Sequence, residues 1–331
     1  MFAVESLEAA IVFCVITMLG WGSWANTQKL AGKDKWPFEL YYWDYALGVM
    51  LLSVLMMFTL GSTGASGASS LENLAQAGSG AILFAIFSGV LFNISNILLV
   101  VAIDAAGMSV AFPIGVGLAL VIGTVASYLE HPQGNPFVLG VGVSLVVFAM
   151  LMSALAYRKL PRKAGTSWTR GIVFAVVAGC LMGFFYPQLV RAISPAFNSA
   201  PIEPGMLTPY TALFFFAVGL VASNFVVNTV FMKVGGWSYR QYFAGTPKLH
   251  GIGILGGAIW MLALTLNVLA SGVAGPAISY ALGQGATLVA AIWGVLIWKE
   301  FREAPKGTGL FIGLMFAGYV SGLILIGSAT L

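Results

Sequence analysis

Ten apolar stretches, each about as long as a bilayer is thick, recur along this chain with short polar breaks between them. A helix needs about 20 apolar residues to cross a membrane. The runs fall at about 7–28, 37–60, 80–104, 107–130, 136–157, 170–191, 208–233, 249–271, 275–298 and 308–328. The breaks have chemical causes. GSTGASGASS, YRKLPRKAG, SPAFNSAPIEPG and EFREAPKG are rich in Gly, Pro, Ser or charge. A soluble domain carries about 25% charged residues. This chain carries 8%, with 59% hydrophobic residues, so it has too little polar surface to face water. Lipid must solvate most of it, and the few polar positions inside the runs become the informative ones.

Charge then sets orientation. Every Lys and Arg except Arg191 lies in or beside a loop that follows an odd-numbered run: Lys29, Lys33 and Lys35; Arg158, Lys159, Arg162, Lys163 and Arg170; Lys233, Arg240 and Lys248; Lys299, Arg302 and Lys306. Cytoplasmic loops gather positive charge, so the odd loops are expected inside and both termini outside a plasma (inner) membrane. Glu5 and Glu8, with no early Lys or Arg, lack the pattern of a cleaved leader, so the first helix is expected to be retained. Cys14 and Cys180 suggest neither a disulfide framework nor a metal cluster. His131 and His250 fall on opposite sides by this topology, so no catalytic set or metal site forms and no cofactor is implied. The net charge of +4 sits in short loops and is no nucleic-acid signal.

The two halves resemble each other. LGWGSWANTQKL (19–30) aligns with GCLMGFFYPQLV (179–190), PFELYYWDYALG (37–48) with PYTALFFFAVGL (209–220), and AGMSVAFPIGVG (106–117) with AGPAISYALGQG (274–285). Five runs per half is an odd number, so the second copy would be inserted upside down. The expected fold is an all-α polytopic membrane protein of ten helices: one five-helix repeat over 1–157, a cytoplasmic linker over 158–169, and an inverted five-helix repeat over 170–331. Such repeats are built to rock about a site near the midplane.

GSWANTQKLAGK, FELYYWDYALG, NILLVVAIDAAGMSVAFPIGVGLALVIG and ALAYRK resemble the ureide permeases. GILGGAIWMLAL and GVLIWKEF extend the likeness to bacterial rhamnose–proton and glucose-type uptake carriers of the drug/metabolite transporter superfamily. The resemblance implies a ten-helix carrier importing a small polar solute with a proton; the sequence itself leaves Na⁺ open as the coupling ion. Ureide permeases are associated with allantoin and related heterocycles such as uracil and xanthine; the sugar carriers take monosaccharides. The plant ureide permeases have a long central loop with a phosphate-loop-like motif. Here that loop is short, and no G-x-x-x-x-G-K-[ST] occurs.

The polar residues at depth are the candidate site. Asp44 lies about 10 Å inside the end of the second run. A charge at that depth costs about 3 kcal/mol or more unless paired or hydrated, so Asp44 should not face lipid. It reads as the proton-coupling carboxylate or a substrate acceptor; the plainer reading is a structural hydrogen bond to Asn93 or Gln28. Glu39 is a second coupling candidate nearer water, or an anchor beside Lys33 and Lys35. Trp21, Trp24 and Gln28, at i, i+3 and i+7, share a face and could offer stacking and an amide to a flat ring. Asn93 and Asn96, Asn224, Trp260, and Tyr280 with Gln284 are further substrate-binding candidates; helix-to-helix contact is the alternative for the amides. Pro113, Gly115 and Gly117 suggest a hinge or a tight helix crossing. His250, in TPKLHG, reads as an interfacial histidine, with a proton relay as the other reading. The expected function is proton-coupled import of a small uncharged polar solute such as a ureide or nucleobase. The alternatives are a monosaccharide–proton symporter and a multidrug or metabolite exporter.

Overall fold

The structure, a computed structural model, describes residues 1–33, 36–106, 108–160, 168–198 and 201–329. Lys35, and residues 161–167 of the expected 158–169 linker with Arg162 and Lys163, lie outside the described residues. The chain is an all-α, multi-pass integral membrane protein, with ten helical segments among the described residues long and apolar enough to span a bilayer. In chain order the helices are α1 (Leu7–Ser23), α2 (Ala25–Lys33), α3 (Phe38–Phe58), α4 (Ser70–Gln76), α5 (Ser79–Ala106), α6 (Met108–Glu130) and α7 (Pro136–Tyr157). Then follow α8 (Trp168–Ala192), α9 (Pro209–Val234), α10 (Tyr239–Phe243), α11 (Pro247–Ala274), α12 (Pro276–Gly283), α13 (Ala286–Ile292) and α14 (Thr308–Ser328).

Two of the expected continuous runs are broken. In the first, the Thr27 N–H and hydroxyl both take the Trp24 carbonyl, at 3.0 and 2.6 Å. That tightened turn separates α1 from α2. In the ninth, Gly285 N–H bonds back only three residues to Leu282 (2.8 Å), and Leu288 to Gly285 (2.9 Å), so Gln284 and Gly285 part α12 from α13. A π-helical turn over Trp293–Ile297 follows, closed by Trp298 N–H on the Trp293 carbonyl at 2.8 Å. The short helix α4 starts at a reciprocal cap. The Ser69 hydroxyl accepts from Glu72 N–H, and the Glu72 carboxylate accepts from Ser69 N–H.

The chain divides into two compact units, Met1–Asn93 with Gln188–Val273, and Ile94–Pro187 with Ala274–Leu331. Each therefore draws on both halves of the sequence. The first holds α1–α4, the start of α5, the end of α8, α9, α10 and nearly all of α11. Its framework is a pair of glycine crossings. Where α3 meets α11, a Cβ on Gly48 would strike the Ile254 carbonyl, and one on Gly257 would strike the Tyr45 carbonyl. Where α9 meets α5, a Cβ on Gly219 would strike the Ile86 carbonyl, and one on Gly89 the Phe216 carbonyl. In each crossing a glycine faces the carbonyl three residues before its partner's glycine. Lipid offers no hydrophobic drive between helices, so close backbone packing at small residues must hold them, with Cα–H···O contacts adding to it.

The second unit uses the same device. Gly142 on α7 and Gly322 on α14 each face the other's carbonyl, with a Cβ reaching 2.9 and 2.8 Å from it. Gly179 on α8 abuts the Gly115 carbonyl of α6. Pro113 lies inside α6, which continues through it.

The crossings yield a direct prediction. Gly257→Ala drives a methyl into a backbone carbonyl that has no rotamer to yield, and overpacking of this kind costs about 1–3 kcal/mol. A Cβ on Gly251, on the same helix, meets nothing within 4 Å. Thermal denaturation in detergent is expected to show a lowered Tm for Gly257→Ala and an unchanged or raised Tm for Gly251→Ala.

Candidate functional site

The acid in FELYYWDYALGVM is fully enclosed: Asp44 is 1% exposed. The α3–α11 crossing places it, because Gly253 lies directly against the Asp44 Cβ, where any larger residue would collide. Three residues earlier on α11, in its first turn, His250 Nδ1 stands 2.8 Å from Asp44 Oδ1 and 3.0 Å from Oδ2. The Tyr242 hydroxyl donates to Oδ1 at 2.7 Å. Tyr242 rides on the short helix α10, which starts at a Ser238 cap and is tied to α9 by the Tyr239–Thr229 hydroxyl pair. The Tyr242 ring meets His250 edge-on at 4.9 Å, and Trp36 meets it edge-on at 5.6 Å. Burial, then the Asp44 carboxylate, push the Tyr242 phenol well above its usual range, so it acts as a fixed donor.

The hydrogen bonds of Asp44 thus run to His250 and Tyr242. The plainer sequence expectation, a bond to Asn93 or Gln28, is not what the structure has. Asn93 instead donates to the Ser223 hydroxyl at 2.9 Å. The sequence reading leaves out Tyr242 and takes His250 as an interfacial histidine, with a proton relay as the other reading. The signal that could have joined them was topological: α3 and α11 both start after odd-numbered loops, so their first turns face the same side.

A second cluster in the same unit is aromatic. Trp260 on α11 is 4% exposed. Phe92 lies 4.1 Å from it, Phe216 5.9 Å, Trp21 6.1 Å and Tyr45 6.3 Å, with the Trp21 and Phe216 planes within 20° of its own. Trp24, at the α1–α2 break, packs on Tyr45 at 4.9 Å. Several buried polar atoms of this unit find no hydrogen-bond partner among the described residues: Trp21 Nε1, the Tyr45 hydroxyl, Asn93 Oδ1, and both amide atoms of Asn224. A buried polar group without a partner costs about 1–3 kcal/mol. Asn224 adjoins Ser223, to which Asn93 is bonded, and Asn93 adjoins Phe92 on the Trp260 ring.

The remaining expected site residues separate clearly. Gln28 is half-buried on α2 in this unit. Glu39 lends its backbone carbonyl to the Asn228 amide at 3.0 Å, tying α9 to α3. In the second unit, Tyr280 is buried against Tyr186 at 4.8 Å, with its hydroxyl 3.3 Å from the Ala119 carbonyl. Gln284 marks the α12–α13 break and Asn96 is buried on α5. Gly115 sits at the close approach of α6 to α8, whereas a Cβ on Gly117 would meet only the Met150 sulfur, at 3.6 Å. Among the described residues no group of three or more His, Cys, Asp or Glu could hold a metal ion.

The whole-chain likenesses agree with a carrier. Ureide permease 1 of Arabidopsis thaliana is 24% identical over 99% of this chain and 99% of its own. Ureide permease 2 of the same plant is 24% identical over 98% of each. A Listeria monocytogenes protein named for sugar uptake is 22% identical over 69% of this chain and 73% of its own. A solved crystal structure shares the fold over 97% of this chain and 96% of its own, with a TM-score of 0.57 at 14% identity. The family described as sugar transport protein matches residues 12–328. This chain is therefore a membrane transporter, not an enzyme, and belongs to the sugar transport protein family.

Proposed function

We propose that the chain is a proton-coupled importer of a small, uncharged, flat polar solute of the ureide or nucleobase type. The observation that carries this reading is Asn224. Its amide presents an NH2 donor group and a carbonyl acceptor, both buried and without a hydrogen-bond partner among the described residues, on a membrane-spanning helix. That pair complements an –NH–CO– edge, and the Trp21–Trp260 rings supply stacking faces. The unmet Trp21 Nε1 and Tyr45 hydroxyl add a donor and a donor–acceptor. The names of the Arabidopsis relatives support the same class. A monosaccharide is the second reading, supported by the family's name and by ring stacking on Trp260. Asn96, Tyr280 and Gln284 are retained as substrate-site candidates from their place in the sequence, Glu39 as a second coupling candidate, and Pro113, Gly115 and Gly117 as hinge candidates.

In this reading Asp44 carries the coupling proton. A carboxylate paired with a histidine inside a membrane span is costly to keep for packing alone. A proton moving down 100 mV contributes about 2.3 kcal/mol, enough to accumulate a neutral solute. The odd loops are cytoplasmic, both termini lie outside a plasma (inner) membrane, and the two halves form inverted repeats. The duplicated glycine crossings support that repeat: α3 with α11 and α9 with α5 are the pairs an inverted copy would exchange.

Purified protein is expected to gain thermal stability with allantoin, uracil or xanthine in preference to glucose or rhamnose, because a ligand of the folded state raises Tm with occupancy. Asn224→Ala removes a donor and an acceptor worth about 1 kcal/mol each. It is expected to weaken binding on the order of 10-fold or more while leaving the unliganded Tm near that of the wild type. Stabilisation by the sugars alone would move the substrate to the second reading.

Binding should also report on the carboxylate. The affinity for the stabilising solute is expected to vary with pH in the wild type and to lose that dependence in Asp44→Asn. The same pH dependence in both would remove Asp44 from the proton path.

A further inference from the structure

Asp44 is sealed at 1% exposure, whereas the side chain of His250 is 24% exposed. The imidazole therefore bridges an enclosed carboxylate and the protein surface. Its Nδ1 faces both carboxylate oxygens. Its Nε2 faces the loop between α10 and α11, where a Cβ on Gly245 would lie 2.7 Å away. The other approach to Oδ1 is filled by the Tyr242 phenol, which holds its own proton as a donor. Tyr41, one turn earlier on α3, is occupied with the Thr27 hydroxyl at 2.6 Å. The other titratable or charged groups on the packed elements are Glu39, Tyr42 and Tyr45 on α3, Tyr239 and Arg240 on α10, and Lys248 on α11. Neither Asp44 nor His250 is needed to form a crossing of this kind. In the matching α9–α5 crossing, aligned on its glycines, the positions of Asp44 and His250 are held by Phe215 and Ile82.

We propose that His250 is the relay through which Asp44 exchanges its proton with the aqueous side on which α3 and α11 begin. This rests on the proton-coupled reading above and adds the route. From a protonated Asp44 and a neutral ring carrying its hydrogen on Nε2, the carboxyl O–H breaks and an Nδ1–H bond forms. The Nε2–H bond then breaks and its proton passes to water. The products are a carboxylate, a neutral ring donating from Nδ1, and a hydronium ion. The reverse sequence, a proton from hydronium onto Nε2 and the Nδ1 proton back onto the carboxylate, reprotonates Asp44 and restores the first tautomer.

The test is a pH jump on the purified protein in phosphatidylcholine vesicles, followed by time-resolved infrared spectroscopy of the carboxylic C=O band. The band that disappears in Asp44→Asn is the one to follow. His250→Asn keeps a donor where Nδ1 stands but cannot carry a proton. The proposal expects it to preserve the amplitude of that band and slow its appearance and decay on the order of 100-fold, with partial recovery on adding imidazole. An unchanged rate overturns the relay while leaving the coupling carboxylate in place. Absence of any Asp44-dependent band in the wild type overturns both the relay and the proton-coupled reading. If His250→Asn does not fold, Gly245→Ala reads the same step by pressing a methyl on Nε2. Slowed exchange supports the relay, and wild-type exchange overturns it.

Discussion

Two helices lie backbone to backbone where Gly48 and Gly257 each face a carbonyl of the other, and the chemistry of the first unit hangs on that contact. Inside a bilayer the apolar faces of helices gain nothing by leaving lipid, so only close packing and polar contacts can hold them. The crossing of α3 and α11 sets the separation, and Gly253 extends it to the Asp44 side chain. With the helices this close, the first turn of α11 brings His250 against the carboxylate. One register of glycines therefore decides both how the helices pack and which base the acid meets.

The polar groups of this unit fall into two kinds. Some are consumed by structure: Thr17 bonds the Ala263 carbonyl at 3.0 Å across α1 and α11, and Asn228 bonds the Glu39 carbonyl. Others are buried and left open, with Asn224 the fullest case. In a protein whose solvent is lipid, each open group is destabilising unless something else fills its hydrogen bonds for part of the working cycle. A transported solute and a transported proton are the two things a carrier regularly supplies. The proposal assigns the solute to the open amide of Asn224 and the proton to Asp44 with His250.

Much of this was legible in the sequence, and the rest fails for identifiable reasons. The ten runs could be read because crossing a bilayer demands length and apolarity over a continuous stretch. Asp44, Asn224 and Trp260 could be singled out because polar and indole groups are conspicuous against an apolar background. The partner of Asp44 could not be assigned from its own helix, because it lies 206 residues away and depends on a glycine register between two helices. Helix α10 was missed because YRQYF is a single turn with no apolar period. The break at Gln284 was hidden because GQG reads equally well as a close helix contact and as a tightened turn. The α4 cap, Ser69 to Glu72, was readable in principle from the spacing alone.

The central claim is that solute and proton move together and that Asp44 joins them. The most direct measurement is proton flux driven by solute in vesicles enclosing a pH-sensitive dye, with the solute chosen by thermal stabilisation. An inward gradient of that solute, with no imposed pH difference and no membrane potential, should acidify the lumen of wild-type vesicles. In Asp44→Asn vesicles the same gradient should leave the pH unchanged while labelled solute still exchanges across the membrane. Solute entry into wild-type vesicles without acidification would contradict the account.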